Sequence, residues 1–124
     1  MTFSGILQNI VETCGGGINA ALMGTDGIPI DQFVSDNVPE GPLSEDIGTA
    51  GVEFNRILDE IRKASDGLAG GAMTETVVVL ARFSLAFRPV DEDAFLVVVV
   101  APDGNLGKAR YLMRNSLSAI RDEL

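Results

Sequence analysis

Apolar residues recur along the chain with two distinct periods. Phe3, Ile6, Leu7, Ile10, Val11 and Cys14 follow the three-and-four spacing of one helical face, with Thr2 placed to cap it and Gly15, Gly16 and Gly17 to stop it. Two apolar runs, 18–24 and 28–34, then flank Asp26-Gly27, a strong short-range hairpin signal that predicts a type I′ turn with positive φ at both central residues. Pro29 cannot donate to a ladder, so the second strand is expected at a sheet edge, guarded by Asp31 and Asp36. Residues 35–43 read as a loop. Ser44 opens a long helix, with Glu45 and Asp46 at the positive end of its dipole and Gly67, Gly70 and Gly71 closing it. Its expected core stripe is Ile47, Ala50, Phe54, Ile57, Leu58, Ile61, Ala64 and Leu68.

Three strands follow, at 73–81, 85–90 and 94–101, with Asp91-Glu92-Asp93 turning between the last two. The unbroken apolar stretch 95–100 marks a strand covered on both faces. A final helix carries Leu106, Ala109, Met113, Leu117, Ile120 and Leu124 on one side. The order is helix, two strands, helix, three strands, helix: an α/β (α+β) chain with helices on both sheet faces.

Size and charge narrow the classes. The 124 residues suit a single domain spanning 1–124, and 46% apolar against 22% charged residues is too apolar for a disordered tail. The longest apolar run, 95–101, is too short to cross a bilayer, and no basic residue precedes Arg56, so no early targeting signal is expected and a cytoplasmic location is expected. A net charge of −9 repels nucleic acid and anionic membranes, so neither is expected as a partner. The charge is uneven: residues 1–55 hold eight acids and no base, whereas 104–124 are locally positive, with Lys108, Arg110, Arg114 and Arg121. A lone Cys14 excludes an internal disulfide. The absence of histidine excludes Ser-His-Asp and Cys-His nucleophile systems and His-ligated zinc.

Candidate chemistry is sparse. The segment 104–109 fails as a phosphate loop, because Pro102 stands where its first glycine belongs and Ala109 replaces the Mg²⁺-binding hydroxyl. Gly15-Gly16-Gly17 follows a helix rather than a strand, so it reads as a helix stop and not a dinucleotide fingerprint. No acid sits in an apolar context that would tune it for proton transfer. The residues therefore point to no enzyme, no metal and no cofactor.

Two features point instead to self-association. The third strand, with Thr76, Val77, Val78 and Val79, lacks Pro, Lys and Arg, so at a sheet edge it is an open template for another strand. Gly48, Gly51, Val52 and Asn55 form a minor stripe on the long helix, and two mid-helix glycines are tolerated where another backbone comes close. A homodimer through both features is expected. The hairpin tip, with Thr25, Asp26 and Ile28, is a candidate partner contact: an apolar residue ringed by charge.

These segments together resemble a roadblock/LC7 domain, of the bacterial MglB and MglC type. The resemblance rests on 21–28, on the long helix ending near 67–71, and on the 95–100 strand followed by Asn105-Leu106-Gly107-Lys108-Ala109-Arg110. It implies a profilin-like fold, with a five-stranded antiparallel sheet in order 2-1-5-4-3, the long helix on one face and two helices on the other. It implies a homodimer whose third strands join into a ten-stranded sheet and whose long helices pack antiparallel. It further implies a non-catalytic scaffold or regulator of a small Ras-like GTPase, or an adaptor to another roadblock protein, in polarity or motility systems. The competing expectation is a small-ligand sensor with a pocket between sheet and helix.

Overall fold

The computed structural model describes residues 2–36 and 47–124, and for 47–49 the backbone alone. The elements are α1 (Phe3–Thr13), β1 (Gly17–Gly24), β2 (Pro29–Val34), α2 (Ile47–Gly67), β3 (Thr76–Val79), β4 (Ser84–Pro89), β5 (Ala94–Val100) and α3 (Leu106–Glu123). The expected helix start at Ser44, with Glu45 and Asp46, lies outside the described residues, as does the expected loop beyond Asp36. The strands form one sheet in order β2-β1-β5-β4-β3, every neighbouring pair antiparallel.

Alternation on β5 explains its unbroken apolar run. Leu96, Val98 and Val100 enter one core with Ile6, Leu7 and Ile10 of α1 and Ala109, Met113 and Ile120 of α3. Phe95, Val97 and Val99 enter a second core with Phe87 of β4 and Leu58 of α2. Pleated side chains point alternately to opposite faces, so a central strand between two helical layers must be apolar at every position. The two layers hold α1 and α3 on one face and α2 on the other.

The helix ends follow the sequence signals. Thr2 Oγ1 accepts a hydrogen bond from the Gly5 amide at 3.1 Å, and Asn105 Oδ1 accepts from the Lys108 amide at 2.9 Å. The strong apolar face of α1 buries Ile6, Leu7, Ile10 and Val11.

Three expectations change. The hairpin turn is wider than a two-residue type I′ turn: the Gly24 amide donates to Ile28 O and the Gly27 amide to Gly24 O, both at 2.9 Å, and only Gly27 has positive φ, at 85°. A three-residue loop with glycine in the left-handed position satisfies the same Asp-Gly signal. Strand β3 is shorter than 73–81. At one end Glu75 turns towards Arg88 and Arg110, and at the other the Leu80 amide closes a turn on Phe83 O at 2.9 Å.

The third change is a rotation of α2 about its axis. Gly51 and Leu58 face inward and Phe54 packs against Phe87 with the rings tilted at 46° and a centroid distance of 4.9 Å, whereas Ile57, Ile61, Ala64 and Leu68 are exposed. The expected core stripe is therefore split: Ile57, Ile61, Ala64 and Leu68 lie outside, Ala50, Phe54 and Leu58 do not, and the Ile47 side chain falls outside the described residues.

Candidate interaction surface

The hairpin tip rests on α2. A Cβ on Gly51 would land on the end of the Met23 side chain, with Met23 Sδ at 2.8 Å and Gly27 O at 3.4 Å. One turn further along, Asn55 Nδ2 donates to the Thr25 carbonyl. The 24–27 turn is held from its other side by the Thr25 amide, which donates to Asp93 O at 2.9 Å in the β4–β5 turn. The small residue at 51 is thus explained within the chain, by its own hairpin. The close approach expected of a partner helix at Gly51 and Asn55 is made by residues 23–27. Val52 remains exposed, and Gly48 lies on α2, where only the backbone is described.

The tip residues divide. Asp26 Oδ1 accepts from the Ile28 amide at 3.0 Å, an Asx turn that stabilises the loop. Thr25 is half-buried, with its carbonyl engaged by Asn55. Ile28 is 64% exposed and shares with Ile30 a shallow cleft that also includes Asp26 and Asp93. The tip is therefore a fixed apolar knob flanked by carboxylates.

Two further surfaces are unpartnered among the described residues. There strand β3 pairs only with β4, and Val79 on it is 70% exposed. Along α2, Ile57, Ile61, Ala64 and Leu68 repeat at steps of four, three and four, the spacing of a narrow helix-pairing seam, and Leu68 is 82% exposed. Periodicity alone assigns this seam to the monomer core. The width of the apolar stripe, eight residues where a single inward face needs fewer, is the signal that it serves two contacts.

A cluster that sequence reasoning missed lies on the opposite face of the sheet. Glu75, only 17% exposed, accepts from Arg88 Nη2 through one oxygen at 2.7 Å and from Arg110 Nε through the other at 2.6 Å. Burial pushes the Glu75 carboxyl up, but hydrogen bonds from Arg88 and Arg110, reinforced by their charges, outweigh it and hold it below the ordinary glutamate range. Three segments converge here from positions distant in sequence, so no local motif announces them.

A cleft of about 880 Å³ runs between the Asn55, Asp59, Arg62 and Asp66 side of α2 and the β4–β5 turn with Asp91 and Glu92. It is open, with charges of both signs on its walls. Among the described residues, no group of His, Cys, Asp and Glu is arranged to hold a metal ion, and no helix is long and apolar enough to cross a membrane.

Over the whole of both chains this sequence is 34% identical to MglC from Myxococcus xanthus, with a TM-score of 0.69. It belongs to the roadblock/LC7 family. Two more distant structures show the same fold. The gliding protein MglB from Thermus thermophilus is 18% identical with a TM-score of 0.85, covering 96% of this chain and 85% of that one. A roadblock/LC7 domain from Streptomyces avermitilis is 15% identical with a TM-score of 0.82, covering 98% and 97%. No family model and no curated protein matches the sequence. The roadblock/LC7 sheet order and helix layering expected from the sequence are those observed here.

Proposed function

We propose that this roadblock/LC7 chain is a homodimeric, non-catalytic module that regulates or scaffolds a small Ras-like GTPase, or links it to another roadblock protein, in a motility or polarity switch. The observation that carries the reading is the α2 seam of Ile57, Ile61, Ala64 and Leu68. An apolar row at heptad spacing left outside its own core is what an antiparallel partner helix would bury. The open edge of β3, with Thr76, Val77, Val78 and Val79, supports it, since a second copy would pair that edge and extend the sheet. The full-length likeness to MglC and the fold shared with a gliding protein support the motility setting. Ile28, with Thr25 and Asp26 beside it, is the proposed contact with the partner protein: an exposed apolar anchor on a braced turn. The histidine-free sequence agrees with a regulatory rather than a catalytic part.

The test has two arms. Light scattering after size exclusion should give twice the 13.1 kDa chain mass at micromolar concentration. Pull-down against GDP- and GTP-loaded Ras-like GTPases and other roadblock proteins, with GTP hydrolysis measured alongside, should retain a specific partner. A monomer that retains none of them removes the proposal.

A further inference from the structure

The arginines around Glu75 outnumber the carboxylates that meet them. A cleft of about 230 Å³ is lined by Glu75, Arg88, Gly107, Arg110, Tyr111 and Arg114. Three of the chain's nine basic residues thus converge on one acid, in a protein whose net charge is −9. Glu75 is already shared. It takes Arg110 through Nε, and no hydrogen bond from the terminal nitrogens of that half-exposed guanidinium is seen among the described residues. Arg114, four residues on and on the same helical side, has no ion-pair or hydrogen-bond partner among the described residues. The buried Nε of Arg88 likewise has no hydrogen-bond partner there.

Like charges at this helical spacing destabilise a helix unless an anion sits between them. Tyr111, exposed beside them, and the arginines are the residue types that anchor interfaces most often. The cleft is smaller than ordinary ligand pockets and open along α3, which suits one or two carboxylate side chains presented by an extended chain. We infer that the Arg88–Arg110–Arg114 cleft, with Tyr111 at its rim, docks an acidic segment of a partner protein. It lies on the α1–α3 face, opposite α2, so it is separate from the α2 seam.

Anisotropy of a labelled oligoglutamate peptide against the full chain tests this, with an oligolysine peptide and inorganic phosphate as comparisons. Oligoglutamate should bind saturably and lose affinity as salt rises, because exposed charges are screened. Arg114→Glu and Arg110→Glu/Arg114→Glu should each weaken binding by about tenfold or more, the equivalent of one charge-assisted hydrogen bond. Tyr111→Ala should weaken it less. Arg114→Glu, which breaks no contact within the described residues, should keep the wild-type melting temperature and molecular mass. Absence of oligoglutamate binding, or equal affinity in the arginine variants, overturns the inference. So does phosphate binding as tightly as the peptide, which would make the cleft a small-anion site. Salt-sensitive self-association lost in Arg114→Glu would assign the face to a second copy and overturn it as well.

Discussion

A Cβ on Gly27 would fall 2.5 Å from Cγ2 of Val52 and 2.9 Å from its Cα, so the hairpin turn and α2 meet with no side chain of residue 27 between them. Gly27 also has positive φ, which costs an L-residue roughly 1–2 kcal/mol. Gly27→Ala should therefore lower unfolding free energy by more than that, read from urea melts. Gly51→Ala meets the flexible end of Met23 and gains up to about 1 kcal/mol of helix propensity, so its loss should be smaller. Equal losses at the two positions would contradict this packing.

Asn55 bridges the same contact through its amide. Asn55→Ala should cost about 1 kcal/mol, the usual net value of a hydrogen bond. Asn55→Asp should cost more, because a carboxylate would face the Thr25 carbonyl with no proton to donate. Amide exchange at residues 24–28 should rise in both variants, and unchanged exchange would show that the tip is held elsewhere.

Dimer formation is expected to respond to the outer seam rather than to residue 51. Ile57→Glu/Ile61→Glu replaces two exposed residues and should shift light-scattering mass from dimer to monomer while circular dichroism stays native. Val79→Lys should do the same at the β3 edge, since an edge lysine opposes strand pairing. A wild-type mass in both variants would move the interface elsewhere. Gly51→Leu is unsuited to this test, because it overpacks against Met23 inside one chain.

Acid should loosen the Glu75 cluster. The folded carboxyl titrates below its unfolded value, so its stabilisation is complete above the ordinary glutamate range and lost as pH falls through the lower folded value. Between those values wild-type stability should fall more steeply with acidification than that of Glu75→Gln. Parallel curves would show that the two arginines do not control its protonation.

Cys14 gives a probe of the α1 core. Burial raises its thiol pKa, so little thiolate is present at neutral pH and reagent access is blocked. Alkylation should follow unfolding, slow in buffer and fast in urea. Rapid labelling in buffer would indicate local opening around α1.

The strands, the Pro29 edge and the two-faced 95–100 strand were legible because each depended on a local signal, whereas the full sheet order came with the family resemblance. The facing of α2 was not legible. Its apolar residues span more than one side, and periodicity reports that a helix has an apolar stripe without saying which part meets its own sheet. Gly51 and Asn55 turn inward because the hairpin tip fits only against a residue without a side chain and beside an amide donor. The Glu75 cluster was also hidden, since Glu75 before β3, Arg88 on β4 and Arg110 on α3 meet only when the sheet is assembled.

The central position of β5 also sets the order in which this molecule can be made. Its partner β1 comes from the first quarter of the chain, whereas β5 itself comes from the last. Without β5 no strand-to-strand hydrogen bonds join the β1–β2 hairpin to the β3–β4 pair, and each leaves one apolar edge unpaired. Closing so long a loop is slow relative to helix formation. Joining the two hairpins through 94–100 is thus the most non-local step in completing the sheet.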